Sequence, residues 1–272
     1  MRILITNDDG IYSPGIAALA DVARAFGEVC IVAPDVEMSS AGHSITATRP
    51  LSYKRTPRDV EAYRVNGTPA DCVSLGAYHW EKVDAVLSGL NIGLNLGNSV
   101  GHSGTVAAAK QAALLGLRGI ALSAPSGVEP DFEPFKPWLR RVLHRLLGDV
   151  ALPLVNVNFP REPRGLMWTR ASVRRYDGRI VPVKDPAGRP LFWSTVVPIE
   201  DADEGTDRWA VEQGWVSLTP LRLDPTDDAQ LRDARAAWPL DDAMAIALSP
   251  GTSSPEAARS VQEDEAEASL TK

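Results

Sequence analysis

The chain opens with MRILITNDDGIYSPG, residues 1–15. Arg2 to Thr6 is a short apolar run that reads as a buried strand. Asn7, Asp8, Asp9 and Gly10 follow as a turn. Pro14 to Phe26, apolar at Ile16, Leu19, Ala20 and Ala23, reads as a helix. A buried strand handed to a helix through a short acidic turn is the first unit of a βα repeat. The turn itself is costly. Adjacent carboxylates repel, and one of them holds a proton unless a cation lies between them.

Working outward, Val29 to Ala33 is a second strand stopped by Pro34-Asp35, and a loop of small residues, Met38 to Ser44, follows it. Residues 45–66 read as two or three irregular strands. Thr68-Pro69-Ala70-Asp71 is a helix start, with Thr as N-cap and Pro at the first helical position. Val83 to Leu87 is a strand that runs into the glycine-punctuated loop Asn91 to Gly97. Ser103-Gly104-Thr105 then introduces a helix, Val106 to Leu115. Gly119 to Ser123 is a strand, Phe135 to Leu147 a helix and Val155 to Phe159 a strand. Strands alternating with helices imply right-handed crossovers, a mostly parallel sheet and helices on both faces. The fold class is α/β.

After Pro160 the pattern changes. Residues 161–225 are rich in β-formers and turn dipeptides, with Trp193, Trp209 and Trp215 as large apolar anchors, and read as a β-hairpin-rich C-terminal extension. That extension either packs on a partner subunit or covers one edge of the sheet. Residues 226–252 are expected to form a terminal helix. Residues 253–272, with Glu263-Asp264-Glu265, have the composition of a disordered acidic tail.

The 272 residues carry a formal net charge of -7, which argues against non-specific binding to a nucleic-acid polymer. No apolar run has the length of a signal-peptide core or a membrane span, so a membrane role is not expected. Cys30 sits in an apolar run and Cys72 at a helix start, a usage that suggests neither disulfides nor a Cys-rich metal site. A reducing, cytoplasmic setting follows as the expectation.

In open parallel sheets, ligands bind outside the carboxyl ends of the strands. The Asp8-Asp9 turn, the Ser39 loop, Asn91 to Asn95, and Ser103 to Thr105 all fall there and point to one crevice. Asp8 and Asp9 are hard oxygen donors suited to Mg²⁺ or Mn²⁺, and Ser39 and Asn91 can complete the shell with neutral oxygens. A competing reading makes one carboxylate a cap for the helix that follows. Ser103-Gly104-Thr105 offers backbone N–H groups, two hydroxyls and the positive end of a helix dipole, which suits a phosphate. Ser and Thr are also ordinary N-caps. His102 precedes this turn and is a candidate proton donor to a leaving oxygen, with His43 as the other candidate.

In this order, ITNDDGIYSPG, VAPDVEMSSAGHSIT, VNGTPADCV, LSGLNIGLNLG and HSGTVAAAKQAALLG resemble the SurE family of metal-dependent 5′-nucleotidases, also called survival proteins. VNVNFP, WTR, EGTDRWAV and GWVSLTPLRLD extend the likeness to about Asp224. The loop Asp35 to Met38 lacks the basic residues many members carry. The resemblance implies a Rossmann-like catalytic domain over residues 1–160 and a β-hairpin arm used in dimers or tetramers. It implies hydrolysis of nucleoside 5′- and often 3′-monophosphates with one divalent cation, Mg²⁺ or Mn²⁺, per subunit. The implied metal ligands are Asp8, Asp9, Ser39 and Asn91, with Asp8 also catalytic; the implied phosphate contacts are Asn95, Ser103, Gly104 and Thr105. Two other readings of the acidic pair stand beside this one. One is a phosphatase that passes through an aspartyl-phosphate on Asp8; the other is a non-catalytic nucleotide-binding or receiver-like module.

Overall fold

Ile3, Leu4, Ile5 and Thr6 are all buried, so the first strand has helices on both sides of it. Ile3 and Ile5 face one apolar layer and Leu4 the other, as the two-residue period of a strand requires. The computed structural model describes residues 1–127, 131–149, 152–172, 178–196 and 202–238.

The chain divides into two compact units, Met1–Leu223 and Asp224–Lys272. In chain order the first unit contains β1 (Arg2–Thr6), α1 (Pro14–Ala23), β2 (Glu28–Pro34), β3 (Tyr53–Arg55), β4 (Glu61–Val65) and α2 (Pro69–His79). It continues with β5 (Ala85–Ile92), α3 (Gly104–Leu114), β6 (Arg118–Ala124), α4 (Lys136–His144), β7 (Leu154–Asn158) and β8 (Gly165–Trp168). It ends with β9 (Gly178–Lys184), β10 (Pro190–Val196), α5 (Asp207–Glu212) and β11 (Trp215–Pro220). In the second unit the described structure includes α6 (Asp228–Ala237), capped by Asp227, whose carboxylate accepts from the amides of Ala229 and Gln230. The rest of the helix expected over residues 226–252 and the tail from 253 lie outside the described residues.

Nine strands form one sheet in the order β3-β4-β2-β1-β5-β6-β7-β11-β8. The neighbours from β4 to β7 run parallel, β3 pairs antiparallel with β4, and β11 pairs antiparallel with β7 and parallel with β8. From β1 the chain builds outward through β2 to β4, then returns to the other side of β1 and builds outward through β5, β6 and β7. The order therefore reverses between β1 and β5, and a crevice opens there at the carboxyl ends of the strands. One face carries α1 and α4 through Ile16, Leu19, Leu139 and Leu143; the other carries α2 and α3 through Cys72, Val73, Ala108 and Ala112.

Two local features differ from the sequence reading. α3 starts at Gly104 rather than Val106, because Ser103 is its N-cap and accepts the Val106 N–H. In residues 161–225, β9 and β10 form an antiparallel hairpin closed by a turn around Asp185 to Arg189. β8 and β11 instead extend the main sheet beyond β7, with Val216 and Leu218 continuing the α1–α4 core. Alternating apolar residues fit a hairpin and a sheet edge equally well, and the pairing partner decides between them. Trp209 and Trp215 are half-buried, whereas Trp193 is exposed on the hairpin.

Candidate active site

The acidic turn sits at the reversal of strand order. Asp8 and Asp9 follow β1, and Asn91 lies near the end of β5, its neighbour. Gly10 takes a φ of +92°, a backbone region that favours glycine, as the chain doubles back beside Val36. The carbonyl of Asp8 accepts the Met38 N–H at 2.7 Å, so the loop carrying Ser39 is tied to the turn by its backbone. The Asp9 carboxylate accepts the Ile92 N–H at 3.3 Å, which ties the turn to the end of β5. Between Ser88 and Asn91 the β5–β6 register shifts, and irregularities of this kind re-aim side chains next to active sites.

Asp8 is almost fully buried, and Thr105 Oγ1 donates to its Oδ1 at 2.6 Å. The N-terminus of α3 abuts it so closely that a Cβ on Gly104 would lie 2.8 Å from Asp8 Cβ. Thr105 thus holds Asp8, whatever else it contacts. Ser103 uses its hydroxyl oxygen as the α3 cap at 3.1 Å from Val106 N. Asn91 Nδ2 donates to the Gly93 carbonyl at 2.6 Å, which leaves Oδ1 as its remaining polar atom. Ser39 is exposed, and its hydroxyl donates to Glu37 Oε1 at 2.7 Å. The structure therefore joins Asp8 to Thr105 by a direct side-chain hydrogen bond, ties Asp9 to the end of β5 through the Ile92 amide, and brings in Ser39 and Asn91 through their loops.

Asn95 is buried beside Thr105. Its Nδ2 donates to Ser123 Oγ at 2.9 Å and lies 3.5 Å from Thr105 Oγ1. Its backbone is held from both sides. The Asn95 N–H donates to Asn158 Oδ1 at 2.7 Å, and the amides of Asn156 and Asn158 donate to the Asn95 carbonyl. Two residues on, Gly97 N–H donates to Asp207 Oδ2 at 2.9 Å, and Asp207 Oδ1 accepts the Ser172 N–H. Glu37, Ser123, Asn156, Asn158 and Asp207 were not singled out as site residues in the sequence. The signal available for two of them is Leu154-Val155-Asn156-Val157-Asn158, an apolar strand with amides two residues apart and fully buried. His102 is exposed, and its carbonyl accepts the Gly42 N–H at 3.0 Å. His43 Nε2 meets Gln111 Oε1 at 2.8 Å, which ties the Ser39 loop to α3.

Electrostatics test whether this turn fits a cation. Burial pushes the Asp8 carboxyl above the usual carboxylate range against the pull of its Thr105 hydrogen bond. Burial first, and the neighbouring Asp8 charge second, push Asp9 up to about 6. Among the described residues no ion pair reaches either carboxylate. Nor, among the described residues, does any group of three His, Cys, Asp or Glu gather as metal ligands, and the Glu37 charge adds to the crowding of both aspartates. Two crowded, unneutralised carboxylates beside a hydroxyl and an amide oxygen form the donor set that a hard divalent cation takes. The residues fit.

A groove of about 770 Å³ between α4 and β8, lined by Arg141, His144, Met167 and Trp168 among others, shares no residue with this constellation.

The family model for Survival protein SurE matches residues 3–178. The chain belongs to the SurE family. It is 49% identical over 235 residues to a Thermus thermophilus protein named 5′-nucleotidase SurE 1, covering 83% of this chain and 93% of that one. It is 45% identical over 236 residues to 5′-nucleotidase SurE of Deinococcus radiodurans, covering 83% and 88%. Among solved structures, the SurE protein from Aquifex aeolicus superimposes with a TM-score of 0.76 at 38% identity, covering 87% of this chain and 99% of that one. The fold places the acidic turn of this SurE-family chain at the switch point of its sheet.

The raised Asp9 pKa makes a stability prediction with a definite sign. The folded protein binds the Asp9 proton more tightly than the unfolded chain, so stability falls as pH rises from the unfolded value of 3.8 through about 6. Without metal, Asp9→Asn should melt above the wild type at pH 7, and the difference should close towards pH 4. Thermal melts in chelator across that range check it; equal melting temperatures at pH 7 would contradict the crowding of the pair.

Proposed function

We propose that the chain is a phosphomonoesterase that hydrolyses nucleoside 5′-monophosphates, and also 3′-monophosphates, to nucleoside and phosphate with the help of a divalent cation. The observation that carries this reading is the meeting of Asp8 and Asp9 with the α3 N-terminus at the switch point. A donor set for a cation faces donors for an anion there. The names of the relatives as 5′-nucleotidases supply the nucleotide.

Asp8, Asp9, Ser39 and Asn91 would hold Mg²⁺ or Mn²⁺, one per subunit. A cation bound there supplies charge neutralisation at the phosphoryl group and lowers the pKa of water. The chain's own residues do the rest. Thr105 fixes the rotamer of Asp8, so one carboxylate oxygen is committed to a hydrogen bond and the other is available to orient the attacking water. The same commitment, with the burial of Asp8, favours attack by water over an aspartyl-phosphate on that residue. Gly104 lets the α3 amide end come close, and its N–H, with Ser103, Thr105 and the Asn95 amide, faces the remaining phosphate oxygens, where charge builds in the transition state. Asn156 and Asn158 keep Asn95 in place from β7, without contact to the phosphate. His102, at the mouth, is the candidate acid for the departing nucleoside oxygen.

The β9–β10 hairpin exposes Leu191 and Trp193 on one face and Ile180 and Phe192 on the other, apolar surface that fits self-association as a dimer or tetramer. Sedimentation of a Trp193→Asp variant should show a smaller species than the wild type; an unchanged species would take the hairpin out of the assembly.

Protein stripped with a chelator should release no phosphate from AMP and should recover turnover when Mn²⁺ or Mg²⁺ is returned. Full turnover in metal-free buffer would overturn the cation's part in the reaction.

A further inference from the structure

Tyr12 is two residues beyond Gly10 and 61% exposed, and both its turn and its hydroxyl are hydrogen-bonded. The turn that carries it is closed by the Ser13 N–H on the Gly10 carbonyl at 3.0 Å and anchored by the Ile11 N–H on the Pro34 carbonyl at 2.8 Å. Arg58 donates from Nη2 to the Ile11 carbonyl. Arg64, near the end of β4, donates from Nη1 to the Tyr12 hydroxyl at 3.1 Å. The backbone of the turn is held by these bonds, and the Arg64 bond favours one orientation of the ring.

Two apolar residues beside the acidic turn are exposed as well. Val36, whose backbone packs against Gly10, is 61% exposed, and Ile92, whose amide holds Asp9, is 38% exposed. Three consecutive residues span at most about 11 Å, so Tyr12 lies within that reach of Asp9 along the chain.

We infer that Tyr12 is the platform on which the base of the nucleotide stacks, oriented by Arg64. The inference rests on the nucleotidase reading and adds to it the group that recognises the nucleoside. A pre-fixed ring gives up little conformational freedom on binding, and stacking tolerates any base because every base has a π-face. Tyr12 touches the substrate far from the reacting atoms, so its loss weakens binding and leaves the chemical step alone.

The test uses the metal-loaded full chain and reads three quantities: KM for AMP, kcat for AMP, and the inhibition constant of inorganic phosphate. Tyr12→Ala should raise KM for AMP about tenfold, within the range that loss of one base stack produces. It should leave kcat and the phosphate inhibition constant within about twofold. Tyr12→Phe, which keeps the ring and loses the Arg64 bond, should restore most of the affinity. An unchanged KM in Tyr12→Ala would overturn the platform. It would move the base to another part of the rim, such as the cleft of about 590 Å³ beside Leu94, Pro125, Pro160 and Gln213. A phosphate inhibition constant that weakens in step with KM would also overturn it, because Tyr12 would then be shaping the phosphate site. A wild-type chain that releases no phosphate from AMP would overturn the nucleotidase reading itself, and the platform with it.

Discussion

Two carboxylates on consecutive residues, both drawn out of bulk water at the end of a buried strand, repel each other with no Lys or Arg among the described residues paired to relieve them. The rest of the crevice is arranged around that repulsion. Thr105 donates to Asp8, the amide of Ile92 donates to Asp9, and the positive end of α3 is brought against the pair across the missing side chain of Gly104. These hydrogen bonds reduce the cost without cancelling it, since both groups still titrate above their ordinary range. A divalent cation bound between the two carboxylates would relieve the repulsion that these hydrogen bonds leave.

The supporting framework explains why so large a sheet serves so few atoms. The reversal of strand order between β1 and β5 opens the crevice, and α3, which follows β5, delivers its amide end there. β7 contributes no residue to the acidic turn. Instead its two buried asparagines hold the backbone of Asn95, and Asp207 of α5 holds Gly97 two residues later. A loop with this many glycines would sample many conformations without such anchors. The polar network is buried and pre-formed, as a site that stabilises transient charge requires.

Much of this was legible in the sequence because it depends on local patterns. The alternation of strands and helices through Phe159, the Thr68 cap, and the convergence of Asp8, Ser39, Asn91 and Thr105 at strand ends all follow from spacing of a few residues. Partnerships across long sequence separations were not legible. Nothing near Thr105 announces that it bonds Asp8, 97 residues away, rather than only a ligand. Nothing near Trp215 distinguishes a hairpin strand from the one that carries the main sheet past β7. Asn156 and Asn158 lie between: amides in an apolar strand signal a buried polar network, while their partner at Asn95 emerges only from the fold.

Calorimetric titration of Mn²⁺ into chelator-stripped protein at pH 6, repeated in buffers of different ionisation enthalpy, tests the pairing of Asp8 and Asp9 around a cation most directly. Burial and mutual repulsion push Asp9 up to about 6 and raise Asp8 as well, so binding of an ion should release protons at pH 6 and fewer at pH 8. Asp9→Asn should lose both the tight binding and the proton release. Equal Mn²⁺ affinity in the wild type and the Asp9→Asn variant, or no binding to either, would contradict a cation site at this turn.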